Sequence, residues 1–161
     1  MFITEAEYVK VAERAAEIRC AVPEIAIMPD NFPEARSQKH LRVRREAIAL
    51  RSTLEQANFP LGSFCVEAEH ASFGEEDFLH WDASLFISAS LMAREPYAIG
   101  IALSIVREHL LDYFAASPER TLRLTLIVER KRDRSCKKIV YEGSSPGLMS
   151  LAAYVAAAAD E

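Results

Sequence analysis

Two neighbouring segments in the last third of the chain alternate apolar and polar residues, and only a short turn separates them. Alternation with a period of two is the pattern of a half-buried β-strand. Strands joined by so short a turn pair antiparallel, because a parallel pair needs a long crossover connection. The sequence therefore predicts a β-hairpin here. Its parts are the strand Leu122–Val128, the basic turn Lys131–Ser135 and the returning strand Lys137–Glu142.

Helical periodicity and end signals predict four helices. Thr4 and Glu7 form a capping-box pattern at the start of the first helix. Asn31 can cap the second helix, whose apolar seam has heptad spacing from Val43 to Ala57. Pro96 occupies the first turn of the third helix, where proline is accepted. The predicted spans are 5–20, 34–57, 96–115 and a terminal helix capped by Ser145.

A second hairpin is predicted between residues 63 and 91. Ser63–His70 and Trp81–Leu91 both alternate, and an acidic loop separates them. A short strand over 25–28 would add a fifth strand. The order of helices and neighbouring strands predicts the α+β class. We expect a single α+β domain over residues 1–161, with a four- to five-stranded, mainly antiparallel sheet and helices packed on one face.

Length and composition fit one globular domain of ordinary size. Half of the 161 residues are hydrophobic and 27% are charged, which excludes disorder as a general description. The longest apolar run, Leu151–Ala159, is less than half of the ~20 residues that a membrane helix needs. Glu5 and Glu7 are unlike the basic start of a signal peptide. We therefore expect a cytoplasmic protein that has no membrane partner.

The cysteines and glycines carry no cofactor motif. Cys20, Cys65 and Cys136 are an odd number and form no C-x-x-C pair, a pattern that favours a reducing compartment over a disulfide framework. The five glycines form neither a dinucleotide-binding nor a Walker pattern. The sequence therefore predicts no cofactor.

Two basic blocks, 35–51 and 130–138, lie in a chain whose net charge is −5. The overall charge argues against general nucleic-acid binding, but a local basic patch can attract an anion or a phosphate backbone. The alternative is that charges on an exposed hairpin prevent aggregation. If the blocks bind an anion or nucleic acid, the predicted contacts are Arg42, Arg45, Arg132, Arg134, Lys137 and Lys138.

Residues Gly143–Gly147 spell the nucleophile-elbow pattern G-x-S-x-G. An elbow serine uses the backbone N–H of the next residue in its oxyanion hole, and Pro146 has no N–H. No histidine follows Ser145 in the chain, although the elbow triad needs one there. The pattern is interpreted as a helix cap, and no catalytic residue is predicted.

A metal site could form on the hairpin over 63–91. Pairing of its strands would bring His70 and His80 together, with Glu67, Glu69 and Asp82 close by. Imidazole and carboxylate groups are ligands for zinc or manganese. We keep His70, His80, Glu69 and Asp82 as the candidate metal ligands of a small metal-dependent enzyme.

The terminal helix is apolar around almost its whole circumference, which is typical of a helix buried on more than one side. We expect Leu148, Leu151 and Val155 to pack on the sheet. A second copy of the chain would cover the other side. The residues predicted to meet that copy are Met149, Ala152, Ala156 and Ala159.

Residues Pro96–Phe114, the basic hairpin, and Tyr141–Gly143 with the terminal helix resemble small uncharacterised bacterial proteins, including accessory modules that accompany effectors of conflict systems. The resemblance covers the last 65 residues. It implies a non-enzymatic adaptor and assigns no functional residue.

Three functions are therefore open. The first is a cytoplasmic protein-interaction or adaptor module that self-associates. The second is binding of an anion or nucleic acid through the basic blocks. The third is a small metal-dependent enzyme on the hairpin over 63–91.

Overall fold

The computed structural model describes residues 2–64, 70–71, 80–116 and 121–161. Within these ranges the strands are β1 (Phe2–Tyr8), β2 (Ile25–Ile27), β3 (Arg42–Val43), β4 (His70–Ala71), β5 (His80–Ile87), β6 (Thr121–Glu129) and β7 (Cys136–Gly143). The α-helices are α1 (Val11–Glu17), α2 (Arg45–Gln56), α3 (Ala89–Arg94), α4 (Ala98–Ala116) and α5 (Leu151–Ala159). Short 3-10 helices span Gln38–His40 and Ser145–Ser150.

The main sheet has five strands in the order β1-β7-β6-β5-β2. All of its neighbouring strands are antiparallel except β5 and β6. Helices α3 and α4 lie between those two strands in the chain and supply the crossover that a parallel pair requires. The predicted α+β class and mainly antiparallel five-stranded sheet are confirmed.

One face of the sheet is covered by helices and forms the larger apolar core. Alternate residues of β5 and β6 point into it, from Trp81 to Ile87 and from Leu122 to Val128. Buried residues of α2, α4 and α5 pack against these side chains. Leu148, Leu151 and Val155 belong to this core and are fully buried, as predicted.

The opposite face is covered only in part. Helix α1 and the segment over 28–41 pack there against Phe86 and Ile127. The ring of Phe64 connects Phe32 and Phe86, at centroid distances of 5.0 and 5.5 Å. Arg14 holds α1 to this segment through hydrogen bonds to the carbonyls of residues 32, 33 and 35. Within the described residues, the remainder of this face is uncovered, and it is called the open face below.

The predicted helix over 5–20 is wrong in its first half. Residues 2–8 form the edge strand β1, which pairs along its whole length with β7. Glu5 forms an ion pair with Lys137 at 3.0 Å, and Glu7 forms one with Arg130 at 2.7 Å. Pairing with a strand from the far end of the chain therefore outweighs the local capping-box pattern. The helix itself is limited to α1.

The predicted helix over 34–57 is also too long, because α2 begins at Arg45. Asn31 does not cap a helix here. Its side-chain oxygen accepts from the backbone N–H of Arg42 at 2.9 Å, and its amide donates to the carbonyl of His40 at 2.7 Å. These bonds hold residues 41–43 extended beside the segment over 28–41. The predicted seam is buried at Val43, Ala47, Leu50 and Leu54.

The predicted hairpin over 63–91 is wrong for the residues that the structure describes. Strand β5 pairs with β2 on one side and with β6 on the other. The backbone of β4 pairs parallel with β3. Residues 65–69 and 72–79 of the prediction lie outside the described residues. By contrast, the predicted hairpin over 122–142 is confirmed by the register of β6 and β7.

The start of the terminal helical segment differs by one residue from the prediction. The 3-10 helix over Ser145–Ser150 precedes α5, so Ser144, and not Ser145, is its N-cap residue.

Cys20 is disulfide-bonded, which the expectation of reduced cysteines did not predict, whereas Cys136 is a buried free thiol. Among the described helices, none combines the length and the apolar character needed to cross a bilayer.

Candidate ligand-binding pocket

The floor of a pocket on the open face consists of side chains from β5, β6 and β7. The register aligns Asp82 with Arg123, and Arg123 with Glu142, in one row across the three strands. Two further rows follow at every second residue, because alternate side chains share a face. They are Ser84, Thr125 and Val140, and then Phe86, Ile127 and Lys138. Phe86, which is fully buried, and Glu142 do not line the cavity itself.

One wall of the pocket is the segment Met28–Asp30, with Arg44 behind it. The backbone N–H of Met28 donates to Ser84 at 2.8 Å, and that of Asp30 donates to Arg42 at 2.9 Å. These bonds fix the wall at the edge of the sheet. The cavity has a volume of about 390 Å³ and is lined by Tyr8, Met28, Pro29, Asp30, Arg44, Asp82, Ser84, Arg123, Thr125, Ile127, Lys138 and Val140.

Charged side chains alternate in sign at one end of this pocket. Arg44 lies between two carboxylates, with Nε 3.3 Å from Asp30 and a terminal nitrogen 3.8 Å from Asp82. Arg123 lies between Asp82, at 3.5 Å, and Glu142, at 3.0 Å. We call these five residues the charge chain. It contains three carboxylates and two guanidinium groups, so its formal charge is negative.

Burial dominates the electrostatics of the two aspartates in the charge chain. Partial burial raises the pKa of Asp30 from 3.8 to about 6, although Arg44 opposes the shift. Burial also raises the pKa of Asp82, against the opposing effect of Arg44 and Arg123. The arginines therefore compensate only part of the loss of hydration that each carboxylate suffers. Additional positive charge or N–H donors in the cavity would stabilise both carboxylates.

The other end of the pocket holds Lys138 and Tyr8. Burial, followed by the nearby Glu34, raises the pKa of the Tyr8 hydroxyl, so this group stays protonated at neutral pH. Lys138 is half-buried. Across the described part of the chain, its ammonium has neither an ion pair nor a hydrogen bond. Its neighbour Lys137, on the opposite face, pairs instead with Glu5 and Glu161.

The other predicted anion contacts lie elsewhere. Arg42 donates to the carbonyls of Lys39 and Leu41, and Arg45 is exposed at the start of α2. Arg132 is exposed at the hairpin turn beside Asp133. Arg134 pairs with the buried carboxylate of Glu129 at 3.2 Å. Of the six predicted residues, Lys138 lines the pocket, and the basic block over 35–51 contributes Arg44, which was not predicted.

The predicted metal ligands do not form a cluster in the described residues. Among those residues, no group of three or more histidine, cysteine, aspartate or glutamate side chains could hold a metal ion. Asp82 pairs with two arginines instead. His80 begins β5, two residues from Asp82. Glu67 and Glu69 lie outside the described residues, as does the side chain of His70.

The residues predicted to meet a second copy differ in exposure. Met149 is exposed, at 36%, and so is Ala156, whereas Ala152 is half-buried. Ala159 is fully buried in the core of its own chain, and its carbonyl accepts from the backbone N–H of Lys131. Ala159 is therefore not available to a second copy, and that part of the prediction is wrong.

A second cleft, of about 450 Å³, lies between the end of α1 and residues 36–39. Its charged side chains, Glu17, Arg19, Arg36 and Lys39, are all exposed. Charges that remain in water need no ligand to compensate them. The pocket on the open face differs because Asp82 is 8% exposed and Lys138 is half-buried.

Comparisons of the chain with protein-family models, with curated proteins and with solved structures found no match. The resemblance of the last 65 residues to accessory modules of bacterial conflict systems therefore stays a prediction. Any assignment of function has to rest on the pocket and on the exposed surfaces of this chain.

Proposed function

We propose that the protein binds a small organic anion in the pocket on the open face. The observation that carries this proposal is the unpaired ammonium of Lys138 in a cavity of about 390 Å³, judged over the described residues. A volume near the lower end of the usual range for small-molecule sites fits a ligand of modest size. An anion would provide Lys138 with the charge-assisted hydrogen bond that it lacks.

The surroundings of Lys138 also favour an organic ligand. Val140, Ile127 and Met28 supply apolar contacts, and the hydroxyls of Ser84 and Thr125 supply hydrogen bonds. Binding sites typically combine apolar walls with a few polar groups that orient the ligand. An inorganic anion would use the lysine and leave the apolar walls without a partner.

Calorimetric titration with short carboxylates and phosphate monoesters tests the proposal. Lys138→Met should reduce the affinity about tenfold or more, because a hydrogen bond to a charged group is worth roughly 1.5–3 kcal/mol. The matched control is Arg132→Met, which removes a cation from the same hairpin but outside the pocket. Equal losses in both variants would contradict a pocket site. Binding to an oligonucleotide that depends on Arg132 and falls steeply with salt would favour nucleic-acid contact instead.

A second candidate function is self-association, which would serve an adaptor role. Exposed apolar side chains at the start of α4 and on α5 support it: Tyr97, just before α4, is 67% exposed, Ile101 is 50% exposed and Tyr154 is 41% exposed. Apolar surface of this kind is stabilised when a partner covers it. Light scattering at tens of micromolar should then give a mass above the 18.0 kDa of one chain. Ala156→Glu should return it to the monomer, and a monomer in both proteins would exclude self-association.

The cytoplasmic location is proposed from the odd number and wide spacing of the cysteines. The disulfide at Cys20 opposes it and provides a test. Cytosolic thiols are kept reduced. Alkylation during lysis with and without a reductant, followed by mass analysis of the denatured chain, measures whether the disulfide at Cys20 is present in the cell. Its presence there would contradict the proposal and favour an oxidising compartment.

A further inference from the structure

We propose that the ligand of the pocket is zwitterionic. Its anionic group contacts Lys138, and an ammonium group at its other end contacts Asp30 and Asp82. The inference rests on the proposed function and adds to it the second charge and the orientation of the ligand. It follows from the opposite charges at the two ends of the pocket.

The two ends are well separated. Lys138 lies four residues along β7 from Glu142, and Asp82 lies two strands across from Glu142. Strand spacings of about 4.8 Å and rises of about 3.4 Å per residue place the Cα atoms of Asp82 and Lys138 roughly 17 Å apart. The short aspartate side chain and an extended lysine leave a gap of several ångströms. A ligand that contacts both must be elongated.

The carboxylates of Asp30 and Asp82 have unused acceptor capacity. An ionised carboxylate offers about four lone-pair sites. The cations beside these two lie at 3.3 to 3.8 Å, longer than the roughly 2.7–2.9 Å of a good charge-assisted hydrogen bond. Within the described residues, Arg123 is the one donor to Asp82, at 3.5 Å, and Asp30 accepts from none. A ligand ammonium, with three donors, matches these acceptors.

A ligand with two anionic ends fits less well. The guanidinium groups of Arg44 and Arg123 are already shared among three carboxylates. A second anion at this end would compete with Asp30, Asp82 and Glu142 for the same donors. Like charges held together without compensation are destabilising. The charge chain therefore discriminates against a dianion and accepts a cation.

The middle of the pocket determines what can connect the two charges. Thr125 lies at the centre of the floor, with Ser84 on one side and Val140 on the other. Thr125 is 7% exposed, so neighbouring side chains cover most of it. An aliphatic chain can pack on Val140 and Ile127 while a hydroxyl or amide on it bonds to Ser84 or Thr125.

Calorimetry with three probes of equal length tests this inference: aminohexanoate, hexanoate and hexylamine. The affinity for aminohexanoate should be at least about tenfold higher than for either singly charged probe, since each end contributes a charged hydrogen bond. Asp30→Asn should reduce aminohexanoate affinity severalfold and leave hexanoate affinity unchanged. Lys138→Met should reduce both. Circular dichroism of each variant checks that the fold is retained.

The outcomes separate the inference from the proposed function. If hexanoate binds as tightly as aminohexanoate, and Lys138→Met weakens both, the anion site stands and the zwitterionic ligand is overturned. If hexylamine binds best and Lys138→Met has no effect, both are overturned. Shorter amino acids should bind progressively more weakly as their length falls from γ-aminobutyrate to glycine, because they cannot contact both ends. Equal affinity for glycine and aminohexanoate would also overturn the inference.

Discussion

The two faces of the sheet differ in what their side chains contact. On the helix-covered face, the side chains of β5 and β6 are apolar, fully buried and packed against α2, α4 and α5. On the open face, the same strands present Asp82, Ser84, Arg123 and Thr125 to a cavity. One strand therefore serves both purposes, because its side chains alternate. The first face stabilises the fold, whereas the second carries partly desolvated charges that burial alone does not stabilise.

This difference between the faces indicates which of them can bind a ligand. A buried apolar face has no unused binding capacity, since its contacts are already made. Partly buried charges at 3.3 to 3.8 Å from their partners retain capacity for a ligand. We therefore expect mutations on the two faces to separate stability from binding.

The largest loss of folding stability is expected from Leu126→Ala on the helix-covered face. Leu126 is fully buried, and truncation of a buried leucine costs about 2–5 kcal/mol. The matched variant is Val140→Ala on the neighbouring strand of the open face, where the side chain is half-buried. Its cost should be below about 1.5 kcal/mol. Urea denaturation measures both, and equal costs would mean that the two faces contribute equally to stability.

A smaller effect is expected from Asp30→Asn on the open face. The folded-state pKa of Asp30 is raised from 3.8 to about 6, so the folded protein binds more protons than the unfolded chain between these values. Wild-type stability should therefore gain on the order of 1–2 kcal/mol, after allowance for solvent screening, as pH falls from about 7 to 4.

Comparison of wild type and Asp30→Asn isolates this contribution. The variant should be the more stable of the two at pH 8, and its advantage should shrink as pH is lowered. Urea midpoints measured at several pH values provide the test. A stability difference that does not change with pH would mean that folding does not raise the pKa of Asp30.

The smallest expected effect on stability comes from His109 on the helix-covered side. Its contribution changes with pH in the opposite direction to that of Asp30. His109 of α4 bonds through Nδ1 to the hydroxyl of Thr53 at 2.8 Å, and its ring lies 6.2 Å from that of Trp81. Burial lowers the pKa of His109, with Asp112 opposing. A base with a lowered folded-state pKa makes the protein less stable as pH falls through its unfolded pKa near 6.5.

The His109→Gln variant should lose less stability than wild type between pH 7 and 5. The difference should be below the ~1.4 kcal/mol that one pKa unit represents. The same urea series measures it. If both the Asp30 and the His109 variants shifted the pH profile in the same direction, the electrostatic contrast between the faces would not hold.

Local patterns predicted the parts of the fold that depend on nearby residues. The hairpin of β6 and β7 and the helix α4 follow from periodicity and short connections. The edge strand β1 could not be predicted, because its partner lies more than a hundred residues away. A visible signal was the alternation of Glu5 and Glu7 with Thr4, Ala6 and Tyr8. That period of two competed with the capping-box pattern, and distant pairing determined the outcome.

The pocket was harder to predict than the fold. Lys138 and Asp82 were each selected from the sequence, but for two different sites. The pocket combines them with Asp30, Arg44 and Arg123, which come from a loop, the start of a helix and a third strand. The register of the sheet aligns Asp82 with Arg123, and the backbone hydrogen bonds of Met28 and Asp30 bring the wall of the pocket beside them. Arg123 gave the clearest signal, since it is the one charged residue between Leu122 and Val128.

The pairing of β1 with β7 also sets the timing of folding during synthesis. Tyr8 is synthesised 128 residues before its partner Cys136. At roughly 5–20 residues per second, β1 waits between about 6 and 26 s for its neighbour. Throughout that interval Phe2, Ile3 and Tyr8 have no strand to pair with. Charged residues disfavour association of unpaired strands. We therefore expect Glu5 and Glu7, which pair with Lys137 and Arg130 in the folded chain, to disfavour aggregation of the unpaired segment.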